Sequence, residues 1–267
     1  PPPPPPPSFQ AEDGIRDALV GLVGSEMCIR DRYKFIHCEQ ELDIAMCGRY
    51  NLIEDARALV DFFSLDNSLD MPPRYNIAPS QDIAVVRQSG EGRELSLLRW
   101  GLIPHWAKEH KVGYRMINAR AETVAEKPSF RTAFRQRRCL IPATGFYEWK
   151  KVGGGKQPYN IRMQDGGLFA FAGLWERWEG VDGDLVESCT IIVTDANELI
   201  QPVHERMPVI LDPADYGLWL NPSIQDPDQL QPLLVPCPSA GMNLYPVSNR
   251  VGSPANDDAE LVQPLQG

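Results

Sequence analysis

Cys47, in the segment Met46-Cys47-Gly48-Arg49-Tyr50, is the residue with the most distinctive chemistry in the chain. In a chain that starts at Met46 and loses its initiator, Cys47 carries a free α-amine beside its thiol. The unperturbed pKa of an α-amine is about 8, so an appreciable fraction is neutral at physiological pH. Such an amine can attack an aldehyde to form an imine, and the thiol can then close a thiazolidine ring. The alternative is a buried cysteine that simply follows a methionine.

Three further polar residues stand in segments that suit proton transfer or substrate positioning: His204, Asn118 and Glu148. His204 lies between prolines, and histidine suits proton transfer near neutral pH, although a structural histidine is the alternative. Asn118 carries an amide that can position a substrate oxygen or a reacting amine, unless it only closes a turn before a helix at 121–125. Glu148 lies in an aromatic strand, where burial raises a carboxyl pKa towards acid–base use; the alternative is an outward-facing glutamate.

Arginines and aromatic residues are concentrated in the middle of the chain, and phosphate contacts and base stacking need such groups. They comprise Arg99, Trp100, His105, Trp106, Arg115, Arg120, Arg131, Arg135, Arg137 and Arg138. This combination indicates a groove that binds nucleic acid. A solvated basic helix face explains residues 131–138 equally well.

The composition, with 43% hydrophobic and 23% charged residues, is that of an ordinary globular protein. Apolar runs are too short to span a membrane. The net charge of -10 argues against a general nucleic-acid binder, although a local groove can still be basic. The six cysteines form no CxxC pair, so we predict no metal site, no disulfide framework and no cofactor, with reduced cysteines in a cytoplasmic protein. Cys139 and Cys189 lie in apolar, strand-like segments and are predicted to be buried.

Residues 1–45 differ from the rest of the chain. They begin with seven prolines, and residues 9–32, FQAEDGIRDALVGLVGSEMCIRDR, resemble translated sequencing-adaptor read-through. We therefore expect residues 1–45 to be an artefactual or disordered prefix, and residues 46–267 to form the catalytic domain. Without the prefix, 22 basic and 28 acidic residues remain, so the objection from net charge weakens but persists.

The elements that must position these residues are mainly strands. Periodicity and turn residues predict strands at 82–87, 95–100, 138–142, 146–151, 158–163, 168–178 and 186–194. Helices are predicted at 54–63, 128–138 and 212–220, the last capped by Asp212 with Pro213 at its first position. Short strands with few helices between them favour an α+β fold: a mainly antiparallel, barrel-like single domain with peripheral helices and many ordered loops. The tail from Gly252 onward is polar, and we expect it to be loose.

From Met46 to about residue 265 the chain resembles the SRAP family (SOS response-associated peptidase domain), which includes proteins that crosslink to abasic sites in single-stranded DNA. The resemblance rests on eight segments in the same order: MCGRY (46–50), PRYNIAPSQ (73–81), RWGLIPHWA (99–107), INARAET (117–123), RRCLIPATGFYEWK (137–150), FAGLWE (171–176), TIIVTDAN (190–197) and HERMPVIL (204–211). Eight ordered segments are far more specific than any single motif.

The resemblance implies a role for each candidate residue. Cys47 resembles the nucleophile exposed once the initiator is removed, and Asn118 the asparagine that orients the deoxyribose and the cysteine amine. Glu148 resembles the acid–base carboxylate, and His204 the histidine that handles protons at the sugar. The positions that match backbone-holding arginines are Arg49, Arg120 and Arg206, and those that match groove-lining residues are Asn76, Pro79, Trp100 and Thr194.

The resulting hypothesis is a protein that binds single-stranded DNA and forms a thiazolidine crosslink between Cys47 and an abasic-site aldehyde, which protects the lesion. It requires removal of the residues before Cys47, which self-processing would achieve. One alternative is a thiol peptidase or N-terminal-nucleophile amidohydrolase that uses Cys47, His204 and Asn118. Another is a binding module without chemistry. In each case we expect a cytoplasmic monomer, away from membranes and nucleoid-associated when bound to DNA.

Overall fold

The computed structural model describes residue 1, residues 47–181 and residues 183–266. The strands in these residues are β1 (Tyr50–Leu52), β2 (Arg74–Ile77), β3 (Asp82–Ser89), β4 (Gly92–Trp100), β5 (Asn118–Arg120), β6 (Arg138–Ala143), β7 (Gly145–Val152), β8 (Gly155–Met163), β9 (Phe169–Glu179), β10 (Leu185–Asp195), β11 (Arg206–Pro208), β12 (Ile210–Leu211) and β13 (Met242–Pro246). The α-helices are α1 (Ala56–Phe63), α2 (Arg131–Gln136), α3 (Tyr216–Leu220) and α4 (Pro227–Leu230). Apart from residue 1, the predicted prefix at 1–45 lies outside the described residues.

Five strands close into a barrel in the order β3-β4-β10-β9-β6, and β6 pairs back onto β3. Every neighbouring pair is antiparallel except β4 and β10, which run parallel. Strand β6 is buried along its whole length, because one face fills the barrel and the other is covered from outside. Cys139 and Cys189 are fully buried in this core, as predicted. The mainly antiparallel, barrel-like fold expected from the sequence is thereby confirmed.

A second sheet, in the order β13-β8-β7-β1-β2, carries the start of the described chain. Strand β6 leads through Thr144 directly into β7, so one continuous segment runs from the barrel into this sheet. Gly145 stands at the transition, where an added Cβ would lie 2.8 Å from Oδ1 of Asn160 and 3.0 Å from the side-chain amide of Asn51. Only glycine allows β1 and β8 to approach this closely from both sides.

The helices lie at the periphery, as predicted, and are shorter than the sequence pattern indicated. Helix α1 begins after Asp55, whose carboxylate accepts a 2.8 Å hydrogen bond from the Ala58 amide. Asp212 caps a single 3-10 turn that continues into α3, so the expected helix is divided into two short pieces. In the described part of the chain, no helix has both the length and the apolar character needed to cross a membrane.

The prediction of a loose tail beyond Gly252 is wrong. The Asp257 carboxylate accepts hydrogen bonds from the backbone amides of Tyr75 and Asn76, at 2.5 and 2.9 Å. Leu261 is fully buried in a small apolar cluster with Tyr147. Asp257 and Leu261 therefore hold the tail against the rest of the domain. The polar composition of the tail did not indicate these contacts.

Candidate active site

Cys47 lies three residues before β1, with a positive φ of 45° and only 1% of its surface exposed. Its backbone nitrogen donates a 2.8 Å hydrogen bond to Oε1 of Glu148, 101 residues further along the chain. The antiparallel pairing of β1 with β7 produces this contact, since Tyr50 lies opposite Phe146. The register of two strands therefore brings the predicted nucleophile and the predicted acid–base residue together.

Glu148 is buried, which confirms the expected environment and excludes the outward-facing alternative. Burial raises the pKa of its carboxyl from 4.5 to about 8, while hydrogen bonds from the Cys47 and Trp149 amides act in the opposite direction. Glu148 therefore holds a proton near neutral pH. A group that is poised in this way can give a proton to a reacting oxygen and take one from an amine.

The Cys47 thiol ionises less readily than the catalytic thiol of a cysteine protease. Burial raises the pKa of Cys47 well above 9.0, and the nearby charge of Glu148 raises it further. Within the described residues, no hydrogen bond joins its Sγ to a histidine. Nucleophilic cysteines of hydrolases depend on a lowered pKa or an adjacent base, whereas the pKa of Cys47 is raised and no described histidine is bonded to its Sγ.

Arg49 extends from the same end of the sheet and is surrounded by neutral acceptors. Its guanidinium donates to Oδ1 of Asn76 at 3.2 Å and to the carbonyls of Val251 and Gly252 at 3.0 and 3.3 Å. No ion pair between described residues includes Arg49. Burial without an anion lowers its pKa. The charge of Arg49 is therefore uncompensated and suited to an incoming anion.

Asn76 is fully buried and acts as the support for Arg49 rather than as part of an open groove wall. Its amide nitrogen donates to the carbonyls of Val251, Ser253 and Asn256, at 3.2, 2.9 and 2.8 Å. These bonds attach the C-terminal segment to β2. These contacts could not be predicted from the sequence, because they form only when the tail packs beside β2.

An open cleft of about 410 Å³ adjoins these residues. Its lining comprises Gly48, Arg49, Pro79, Ile117, Trp149, Lys156 and Gly252. Pro79 is a predicted groove-lining residue and Arg49 a predicted backbone-holding arginine, whereas Trp149, Lys156 and Gly252 were not predicted for this site. Trp149 follows Glu148 in the aromatic strand, so the aromatic pattern of that strand was the signal available for it.

Asn118 is in β5, where it pairs with Ile191 of β10 and directly follows the cleft-lining Ile117. The predicted alternative, a turn leading into a helix at 121–125, is wrong, because these residues form turns. Both polar atoms of the Asn118 amide are buried and have no hydrogen-bond partner among the described residues. A buried amide without partners costs about 1–3 kcal/mol. The amide of Asn118 is thus free to bind a ligand.

Trp100 and Thr194 are predicted groove residues that the structure places beneath the surface. Trp100 is fully buried, and its indole nitrogen donates to the carbonyl of Ile117 at 2.9 Å. The hydroxyl of Thr194 donates to the carbonyl of Leu234 at 3.2 Å, and the residue is 6% exposed. Both residues were expected to line a groove, and the structure shows instead that they are buried. Trp100 contacts the carbonyl of Ile117 from within the core, and Thr194 is a buried residue of β10.

Arg120, Arg206 and His204 are grouped at the edge formed by β5, β10 and β11. Arg120 is exposed, and Arg206 forms ion pairs with Glu122 and, at 3.1 Å, with Asp195. The hydrogen bond that Arg206 donates to the Glu122 carboxylate raises the pKa of Arg206. Nδ1 of His204 lies 3.1 Å from the backbone nitrogen of Arg206. Among the described residues, no hydrogen bond connects His204 with Cys47 or Glu148.

Two arginines of the predicted basic groove are structural. Arg138 is 3% exposed and donates to the carbonyls of Phe134 and Ile224 at 2.8 and 2.9 Å. Arg137 forms a 2.7 Å ion pair with the buried Glu176. The sequence allowed two interpretations of both residues, phosphate contacts or a solvated helix face. Their bonds instead hold α2 and its neighbouring loops against the barrel.

Known proteins similar to this chain include several bacterial and eukaryotic relatives. The chain is 47% identical over 222 residues to the Abasic site processing protein YoqW of Bacillus subtilis (strain 168), which covers 82% of this chain and 99% of that one. Identity with the Abasic site processing protein YedK of Escherichia coli (strain K12) is 29% over 231 residues, 82% of this chain and 100% of that protein. Identity with the Abasic site processing protein HMCES of Gallus gallus is 32% over 227 residues, 73% and 67% of the two chains.

The fold also has a solved counterpart. The crystal structure of a protein from Bacteroides thetaiotaomicron superposes with a TM-score of 0.76 and 29% identity, over 82% of this chain and all of that one. The model of the family described as SOS response associated peptidase (SRAP) matches residues 46–254. With its barrel, its Cys47–Glu148 contact and this match over most of its length, the chain belongs to the SRAP family.

Proposed function

We propose that this chain processes abasic sites in DNA by forming a thiazolidine between Cys47, made N-terminal by removal of the preceding residues, and the aldehyde of the ring-opened sugar. One observation carries the proposal: the Cys47 nitrogen lies 2.8 Å from a buried carboxyl with a pKa of about 8. The names of the relatives, as abasic site processing proteins, support the choice of substrate.

The chemistry balances with the groups available. Glu148 takes a proton from the protonated α-amine of Cys47, and the neutral amine adds to the aldehyde carbon and passes a proton to the oxygen. Glu148 then returns its proton to the resulting hydroxyl, which leaves as water. The iminium nitrogen loses its extra proton to Glu148, which gives an imine. The thiol then adds to the same carbon, and its proton passes to the nitrogen. Because the thiol reacts with an electrophilic imine carbon at close range, it does not need a lowered pKa.

The remaining residues have supporting roles in the proposal. Asn118 binds the sugar or the reacting amine through its free amide, and His204 handles the protons of sugar ring opening. Arg49 binds a backbone phosphate, with Arg120 and Arg206 further along the strand, and Pro79 lines the cleft. A single strand suits this site, because the lesion must leave a base stack to bring its sugar to a half-buried cleft.

The state of the Cys47 nitrogen decides whether the reaction can occur. While other residues precede Cys47, its nitrogen belongs to a peptide bond and cannot form an imine. Once freed, the amine can be protonated beside Glu148, and a positive charge at this distance lowers the pKa of the carboxyl. We therefore expect removal of the preceding residues both to create the nucleophile and to shift Glu148 towards its ionised form.

The experiment compares a chain that begins at Cys47, verified by mass spectrometry, with the full chain of 267 residues. Each is incubated with single-stranded DNA bearing one abasic site and run on a denaturing gel. We expect a slow-migrating covalent species only with the free N-terminus. Cys47→Ala should abolish it, and the half-buried Cys237→Ser should not. Absence of the adduct with a verified free Cys47 would sink the proposal, and peptide cleavage lost in Cys47→Ala would favour a peptidase.

A further inference from the structure

Two lysines face each other across the hairpin that β7 and β8 form beside the cleft. Lys151 and Lys156 are directly opposite in the antiparallel register, and both are exposed. Side chains in such positions have Cβ atoms about 4.5–5.5 Å apart, and like charges there are destabilising. Within the described chain neither lysine forms an ion pair. The two ammonium groups therefore repel each other, and no carboxylate among the residues that the structure describes offsets this repulsion.

The lysine pair is connected with the cleft by geometry. Lys156 lines both the cleft and a second depression of about 460 Å³ at the hairpin tip, whose other lining residues run from Lys151 to Gly155. Side chains alternate between faces along a strand, so Lys151 shares a face with the cleft-lining Trp149. The surface that begins at Arg49 thus continues past Trp149 to two unpaired ammonium groups.

We propose that Lys151 and Lys156 bind backbone phosphates of the DNA strand on one side of the lesion, so that the strand leaves the cleft along this hairpin. The inference rests on the proposed function and extends it by assigning the exit path. A phosphate between the two ammonium groups removes their repulsion, which makes this a better anion site than an isolated lysine. Because the protein has a net charge of -10, such a local pair also selects the route along which a polyanion can approach.

The test measures binding with an abasic-site analogue that has no aldehyde, so that affinity is measured without reaction. Three oligonucleotides are compared: one extended on both sides of the lesion, one trimmed on the 5′ side and one trimmed on the 3′ side. The variant Lys151→Gln/Lys156→Gln should weaken binding of the fully extended strand about tenfold and reduce the salt slope by about 1. It should leave unchanged the affinity for one of the two trimmed strands, because that strand no longer reaches the hairpin.

Lys150→Gln is the control. Lys150 lies between Trp149 and Lys151 on β7, and its side chain points to the face of the strand opposite theirs. The Lys150→Gln variant should retain wild-type affinity. The double variant should also melt at a slightly higher temperature than the wild type, because the repulsion is gone. Equal losses on both trimmed strands, an equal loss in Lys150→Gln, or no loss at all would overturn the inference. Failure of the wild type to crosslink would instead refute the proposed reaction, and the binding result would still decide the lysine site.

Discussion

Arg49 and Arg206 have the same role in the sequence-based prediction, that of holding a DNA backbone, yet their surroundings are opposite. Among the described residues Arg49 donates only to neutral oxygens, and burial lowers its pKa. Arg206 contacts the carboxylates of Glu122 and Asp195, and the bond to Glu122 raises its pKa. A phosphate can add to Arg49 without displacing a charge, whereas at Arg206 it must compete with two anions.

The difference divides the site into two ends. The cleft end is made of the buried Cys47 and Glu148 and the half-buried Arg49, which forms no ion pair with another described residue. The edge end, made of Arg206 with Glu122 and Asp195, is neutralised and more exposed. Electrostatic effects are larger where water is excluded, so we expect the cleft end to dominate both chemistry and affinity. The predictions below test this ranking, beginning with the largest effect.

Glu148→Gln should lower the single-turnover crosslinking rate about 100-fold, since acid–base groups contribute about 10²–10⁴. The amide keeps the shape of the side chain but cannot exchange a proton. Rates are measured with chains that begin at Cys47, and the exposed Glu126→Gln serves as the control and should react as the wild type does. An unchanged rate in Glu148→Gln would remove the carboxyl from the mechanism.

The same carboxyl predicts how stability depends on pH in the full chain, where the Cys47 nitrogen is an amide. The folded pKa is about 8 and the ordinary value is 4.5, so between these values the folded state binds the extra proton. The contribution of this proton to the free energy of unfolding is therefore complete below pH 4.5 and is lost as pH rises through 8. At about 1.4 kcal/mol per pKa unit, the loss amounts to a few kcal/mol. Glu148→Gln should flatten this slope in urea unfolding; an unchanged slope would show that the carboxyl is ionised in the folded protein.

Arg49→Gln should weaken binding of single-stranded DNA about tenfold, which corresponds to the roughly 1.4 kcal/mol expected for one charged hydrogen bond. Arg206→Gln should weaken it less, because most of its charge is already compensated by carboxylates. Affinity is measured by fluorescence anisotropy with a non-reactive abasic-site analogue. A larger loss for Arg206→Gln than for Arg49→Gln would reverse the ranking of the two ends.

The cleft end was the part that the sequence could predict. Glu148 stands in an aromatic strand, so its burial and raised pKa were one of two interpretations that local composition offered, beside an outward-facing glutamate. The closed barrel was also foreseeable in outline, because short alternating strands with tight turns leave few other arrangements. The role of Asn118 as a ligand group stays a prediction, and its amide without a hydrogen-bond partner among the described residues is compatible with it.

The edge end was not predictable from local sequence. The pairing of Arg206 with Asp195 depends on the register of β10 and β11, and its contact with Glu122 depends on β5 joining the other side of β10. Trp100 illustrates the same limit, since tryptophan is equally at home in a groove and in a core. Asp257 was missed because its partners in β2 are about 180 residues away in the chain. The pairing register of strands that are distant in sequence, and not the residue type, determines whether an arginine lies beside a carboxylate.

The smallest predicted effect is a gain. In Glu122→Gln/Asp195→Asn, Arg206 keeps its position but loses both anions, so single-stranded DNA should bind about threefold more tightly, as expected for partly exposed ion pairs. The salt slope should steepen by up to about 1, because one more phosphate contact becomes available. Asp61→Asn/Glu91→Gln removes the same charge from distant exposed positions and corrects for the net charge. A gain of equal size in this control would mean that Arg206 is not restrained by its carboxylates, and the contrast between the two arginines would then rest on burial alone.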